Sequence, residues 1–300
     1  MAEGNISLVF AKIIWQVRKM KKLGTNMIKF LEKKSLWVRK ETLKIHKLCS
    51  EMRIASCLSD VEIFTVLYYG KILNINPKNI LWQYRDRLII SKGHGAVSLY
   101  PILADLGFFA RAELERVGME DSLLGAIPDS RIPGFETING SLGHGLGIGA
   151  GIALALKRKG MNVNVFVLMG DGELNEGAVW ESIMFAAHHH LDNLLLIIDK
   201  NRKSMLDYCK NAIDLEPLDE KFEAFKWKTK IVDGHNVRKL YHALKYLKED
   251  SGGQPKVLIA NTVKGKGVPR LEANPLCHIK SLEPHEIDEI IGRLDDGCRN

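Results

Sequence analysis
The chain has 300 residues, 46% apolar and 26% charged, a globular composition that excludes a disordered or collagen-like polypeptide. Against a prior of roughly 150 residues per domain it is one large domain or two ordinary ones, long enough to bury a core without staples. The formal charge of +7 would suit a polyanion or a membrane surface, but residues 1–49 carry +9 of it, leaving −2 for the rest. With no RNA-binding motif or aromatic-basic array in that body, nucleic acid is not an expected partner.

Residues 1–35 read as a basic helical extension, packed on a partner or partly mobile, with residues 36–300 as the main domain. The apolar run Ile6 to Trp15 is interrupted by Lys12 and preceded by no basic region. It is too short to span a bilayer and has the wrong flanks for a signal peptide. Organelle targeting remains the minor alternative to a cytoplasmic location. Five cysteines (Cys49, Cys57, Cys209, Cys277, Cys298) form no CxxC pair, as expected in a reducing cytosol.

From Ser35 onward, helices and strands alternate. Trp37 to Leu48 is apolar at helical spacing, and Ser59-Asp60-Val61-Glu62 predicts a capping box opening a helix through Tyr69. Arg87 to Ile90 is a short apolar run that stops at Ser91-Lys92-Gly93-His94-Gly95. Tyr100 to Leu106 and Ala112 to Val117 read as helices. A Gly- and Pro-rich stretch, residues 124–151, precedes a helix over Ile148 to Lys157. Asn164 to Met169 is an apolar strand ending in Gly170-Asp171-Gly172. A helix from Asn175 to His190 separates it from a second, Asn193 to Ile198, ending in Asp199-Lys200-Asn201. Thr229 to Val232 and Lys256 to Ala260 add two more. Continuous apolar strands separated by helices predict an α/β fold, a mostly parallel sheet with helices on both faces.

Ligands of open parallel sheets lie beyond the carboxyl ends of the strands. Asp171 and Asn201 follow successive apolar strands, so the two side chains can face one site. A carboxylate and an amide oxygen suit Mg²⁺ or Ca²⁺, with phosphates completing the shell. Gly170 and Gly172 permit close backbone approach, and a helix N-terminus follows to receive negative charge. That describes a metal–diphosphate site. For the Gly-Asp-Gly tripeptide alone, an ordinary strand-to-helix turn is the better reading.

Five segments in register decide otherwise. GDGELNEGAVWES (170–182) with Asn201, LIISKGHG (88–95), PGFETINGSLGHG (133–145), TVKGKG (262–267) and NPLCH (274–278) resemble the transketolase family across roughly residues 36–282. The resemblance implies thiamine diphosphate and Mg²⁺ (or Ca²⁺ or Mn²⁺ in its place) as cofactors. It implies Asp171, Asn201 and the Lys203 carbonyl as metal ligands, with Gly172 and Asn201 at the diphosphate and Glu173 among the cofactor-binding residues. His94 and His278 fall near the reaction centre, Lys264 and Ser56 at the cofactor, and Gly140, Ser141 and Leu142 along its pocket. Glu176 matches an acidic residue that couples paired active sites. Two family histidines associated with the sugar substrate fall on Arg53 and Ile127, which places ordinary pentose-phosphate exchange in doubt. Arg53 can instead bind a carboxylate or phosphate through its planar fork. The stretch Asn201 to Asp207 also runs one residue longer than the family pattern, which weakens Lys203 as a ligand relative to Asp171.

Other chemistry is not supported. The GxG patterns between Gly140 and Gly151 do not directly follow an apolar strand, as a dinucleotide fingerprint should. His188, His189 and His190 cannot all converge from adjacent helical positions, and no nucleophile elbow is present.

In transketolase-like enzymes the glutamate facing the cofactor's aminopyrimidine lies on a second, downstream domain, which residues 36–300 do not include. The resemblance therefore implies the N-terminal subunit of a split transketolase. It would work with a C-terminal subunit in an α₂β₂ assembly and transfer two-carbon ketol units from a ketose to an aldehyde or aldose. The alternatives are the α subunit of another thiamine diphosphate enzyme, of the 2-oxo acid dehydrogenase or decarboxylase type, and a non-catalytic regulatory subunit.

Overall fold
The computed structural model describes residues 3–138 and 140–296, with side chains from residue 24 onward. Cys298 lies outside the described residues, and the other four cysteines are free thiols. Five strands, β1 (Arg87–Ile90), β2 (Val165–Gly170), β3 (Leu194–Lys200), β4 (Lys228–Asp233) and β5 (Lys256–Asn261), form one parallel sheet in the order β1-β2-β3-β5-β4. The helices are α1 (Glu3–Leu48), α2 (Ile54–Ser59), α3 (Val61–Tyr69), α4 (Tyr100–Leu106), α5 (Gly145–Arg158) and α6 (Gly177–His188). They continue with α7 (Cys209–Ala212), α8 (Leu218–Ala224), α9 (Val237–Glu249), α10 (Pro269–Glu272) and α11 (Pro284–Asp296).

Side chains alternate across the sheet, as the two-residue period of a strand requires. Leu88, Ile90, Phe166, Leu168, Leu195, Ile197 and Leu258 pack with α1, α3, α4 and α9. Ile89, Val165, Val167, Leu194, Leu196, Ile198 and Val257 pack with α5, α6 and α8. Parallel connections are right-handed, so α5, α6 and α8, the helices that lead directly into β2, β3 and β4, share one face. α9 returns from β4 to the inner strand β5 in the opposite direction and lies on the other. A third cluster joins the end of α1 to α2 and α11 around Leu43, Ile54, Tyr100 and Ile287.

Three local expectations are corrected. No capping box forms at Ser59. Ser59 ends α2, and its hydroxyl, with one hydrogen to donate, lies within reach of Ser56 O (2.8 Å) and Asp199 Oδ2 (2.7 Å). Asp60 is the N-cap of α3 without a side-chain cap bond, and Glu62 is drawn instead to Arg39 and His235. Residues Arg111–Arg116 form a 3₁₀ turn rather than an α-helix. The helix expected to reach His190 ends at His188, because His190 takes a left-handed conformation, φ 50°. The N-terminal helix shows no break at Ser35: α1 is a single 46-residue helix, and Ile28 and Leu31 within it are buried in the main core. No helix among the described residues is long and apolar enough to cross a membrane.

Candidate active site
Register brings the strand ends together: Gly170 pairs with Asp199 and Lys200 with Asn261. The next residues therefore leave the sheet side by side, at the carboxyl edge where a parallel sheet offers its crevice. A cleft of about 750 Å³ opens there, with Asp171, Asn201, Lys203, Thr262 and Lys264 among its lining.

Asp171 caps the 3₁₀ turn that follows β2. Its Oδ1 accepts from Gly172 N (3.0 Å) and its Oδ2 from Arg202 N (2.6 Å). Burial, followed by the charge of Asp199, raises its pKa to about 6 despite those two amides. The carboxylate is thus short of positive charge. Asn201 is oriented by its neighbours: Nδ2 donates to Asp199 Oδ2 (2.9 Å) and Oδ1 accepts from Lys203 N (3.1 Å). The ammonium of Lys203 turns away to Glu272 O (2.6 Å) and Asn274 O (3.1 Å), while its carbonyl accepts from Lys264 Nζ (3.0 Å). Among the described residues no three His, Cys, Asp or Glu side chains converge as a metal site. A cation here would be held by the mixed set of Asp171, Asn201 and the Lys203 carbonyl, which fits a hard divalent ion whose shell a phosphate completes. The under-compensated Asp171 is the observation that supports that fit.

Behind these residues lies a charge cluster that sequence reasoning missed. Lys92, 2% exposed, meets Asp199 and, at 2.9 Å, Asp60, both fully buried. Asp199 also accepts from Ser59, Thr262 and Asn201, and these partners with Lys92 hold its pKa down against the penalty of burial. Asp60 has no well-directed hydrogen bond, and burial drives its pKa well above the carboxylate range. One ammonium faces two acids, and the one with more hydrogen-bond donors keeps the charge. The signal was present as one acid terminating an apolar strand at Ile197-Ile198-Asp199.

His94 and His278 form a second group, their rings 5.0 Å apart and edge-on, with Ser56 Oγ 3.4 Å from His278 Nδ1. Burial, then the charges of Lys264 and Arg53, pushes the His278 pKa down to about 4. Burial with Lys92 pushes His94 well below its usual value. Both imidazoles are neutral near pH 7, each with an unprotonated ring nitrogen able to accept a hydrogen bond. Burial, then Lys92, also lowers the Lys264 pKa. Arg53 is exposed at the N-cap of α2, beside this group, and Ile127 is exposed.

Glu173 is 2% exposed and holds the walls together. It accepts from Gly143 N (2.8 Å), Gly170 N (3.3 Å) and Ser91 Oγ. Gly143 has φ 85°, and a Cβ there would meet Glu176 Cβ at 2.6 Å, so the glycine lets Glu176 close over the loop. Gly140, Ser141 and Leu142 are exposed on that loop, and Glu176 is exposed at the start of α6. None of these four lines the cleft at Asp171.

A parallel α/β domain with a polar cleft at adjacent strand ends defines the class, and comparison with known proteins defines the family. The model for "Transketolase, thiamine diphosphate binding domain" matches residues 54–295. An apulose-4-phosphate transketolase subunit of Actinobacillus succinogenes is 37% identical over 240 residues, 80% of this chain and 86% of that one. The 6-deoxy-6-sulfo-D-fructose transketolase subunit SqwG of a Clostridium species is 34% identical over 82% of this chain and 89% of that one. Human transketolase is 37% identical over 80% of this chain, which spans 38% of the human protein. The crystal structure of Campylobacter jejuni transketolase superposes with a TM-score of 0.82 at 28% identity, covering 89% of this chain and 43% of that one. The chain belongs to the transketolase family, as a transferase carrying its thiamine diphosphate-binding domain.

Proposed function
We propose that the chain is the cofactor-binding subunit of a two-subunit transketolase. It would bind Mg²⁺ and thiamine diphosphate and transfer a two-carbon ketol unit from a ketose to an aldehyde or aldose. The observation that carries the reading is the buried, under-compensated Asp171 carboxylate beside Asn201 at adjacent strand ends. Asp171, Asn201 and the Lys203 carbonyl would hold the metal, and Gly172 with Lys264 would meet the diphosphate. Bound thiamine diphosphate supplies the electron sink that ketol transfer requires. The protein's own part is electrostatic and protonic. Lys264 would place positive charge at the anion, and His94 and His278, kept neutral by burial, would offer ring nitrogens to substrate hydroxyls. Arg53 and Ile127 would set the substrate apart from ordinary pentose phosphates. The Actinobacillus and Clostridium relatives, matched over most of their own length, are named as single subunits of transketolases, which supports a partner subunit. We propose an α₂β₂ assembly with a C-terminal subunit, in the cytoplasm.

The test is direct. The chain should bind thiamine diphosphate by calorimetry in a Mg²⁺-dependent way once assembled with a pyrimidine-domain subunit, and ketol transfer should need both. Transfer by the purified chain alone would overturn the two-subunit reading. Absence of Mg²⁺-dependent binding by the pair would overturn the cofactor assignment.

A further inference from the structure
The loop after β5 carries Lys264, whose ammonium donates to the carbonyls of Lys203 (3.0 Å) and Ser204 (3.1 Å). What holds this loop lies outside the cleft. Val263 N donates to His235 Nε2 (2.8 Å), from the turn between the edge strand β4 and α9. The other ring nitrogen, Nδ1, is 2.9 Å from Glu62 Oε2 on α3. A backbone amide can only donate, so Nε2 accepts, and the ring proton sits on Nδ1 and points at the Glu62 carboxylate. Glu62 is itself paired with Arg39 of α1, and Arg39 also donates to Lys266 O in the same loop (2.5 Å). The turn is pressed against the loop as well: Gly234 N donates to Asn261 O (2.7 Å), and a Cβ on Gly234 would meet Thr262 Cγ2 at 2.4 Å. His235 N is fixed in turn by Asp233 Oδ1 (3.0 Å).

We propose that His235, locked as its Nδ1–H tautomer between Glu62 and the Val263 amide, is a positioning residue that sets the height of the Lys264 loop over the cofactor cleft. It touches no ligand. It acts by fixing the backbone from which Lys264 reaches, so that α1, α3 and the edge of the sheet brace the cleft through one imidazole. This rests on the reading of Lys264 as a cofactor-loop residue, and the measurements separate the two ideas.

Two substitutions divide the ring's roles. In His235→Gln the Oε1 stands where Nε2 stood and still accepts from Val263. In His235→Asn the shorter amide reaches only toward Glu62. Hydrogen exchange across residues 262–267 of the full chain, without cofactor, should quicken roughly fivefold in His235→Asn and stay near the parent rate in His235→Gln, the effect of one lost hydrogen bond. Mg²⁺–thiamine diphosphate affinity of the assembled pair should fall by a similar factor in the Asn variant alone. The native imidazole ¹⁵N shifts should show the proton on Nδ1. A proton on Nε2, parent-like exchange in His235→Asn, or equal losses in both variants would each overturn the brace. A native pair that binds no thiamine diphosphate would overturn the Lys264 reading instead, with exchange and ¹⁵N shifts still deciding the brace.

Discussion

At the scale of single residues, the site is governed by how each buried acid is compensated. Asp171 has two backbone amides and, among the described residues, no direct ion pair. Burial with the Asp199 charge outweighs those amides and the nearby Lys264 charge, so that its pKa climbs to about 6. Asp171→Asn should preserve the fold by circular dichroism yet weaken Mg²⁺-dependent thiamine diphosphate binding at least about 100-fold, the upper range for disturbing even an outer-shell partner. Asp199 is the opposite case, surrounded by donors and charged. Asp199→Asn leaves the Lys92 ammonium short of a partner, and urea unfolding should show a loss of about 3 kcal/mol. That lies at the low end for breaking a buried pair, because Asp60 is 2.9 Å from the same ammonium and can ionise in its place. Neither value was readable from the chain. Asp171 stood out through its glycines and its strand, whereas the partner that decides the state of Asp199 lies 107 residues away.

At the scale of elements, α1 and α11 are joined by one histidine. His46 is fully buried, and its Nε2 accepts from Leu282 N (3.1 Å) just ahead of α11. Burial lowers its pKa from 6.5 to about 4. Between those values the unfolded chain binds the proton and the folded chain does not, so stability is lost as pH falls from 6.5 toward 4. The loss at this one site amounts to about 3 kcal/mol. His46→Gln, which retains an acceptor and cannot charge, should show a shallower decline in denaturant midpoint across that window. The residual slope is the sum of His94 and His278, acting in the same direction, and of Asp171 and Glu173, whose raised pKa values act in the opposite one. Element positions were largely legible, because apolar strands of four to seven residues between helices leave few alternatives. The capping box failed for a tertiary reason: Glu62 had the right spacing, but the Arg39 guanidinium offered it a charged partner that a backbone amide does not match, and His235 Nδ1 lies 2.9 Å from its other oxygen.

At the scale of the whole molecule, the basic N-terminal arm and the slightly acidic body are partly complementary. Lys34 pairs with Asp105, Lys40 with Asp295 and Lys47 with Asp288. These are half-exposed pairs, so Lys40→Met with Lys47→Met should cost less than about 1 kcal/mol in thermal or urea unfolding. A larger loss would mean that charge, rather than the apolar face of Ile28 and Leu31, holds α1 to the body. What the sequence alone determined was the parallel α/β class, the edge of the sheet bearing the site, and the family, since short-range periodicity and five ordered motifs survive in any fold the chain could adopt. What only the tertiary structure decided was the protonation pattern. Which acid stays charged beside Lys92, which imidazoles stay neutral, and which tautomer His235 holds all depend on burial and on partners far apart in the chain, and no local spacing encodes those.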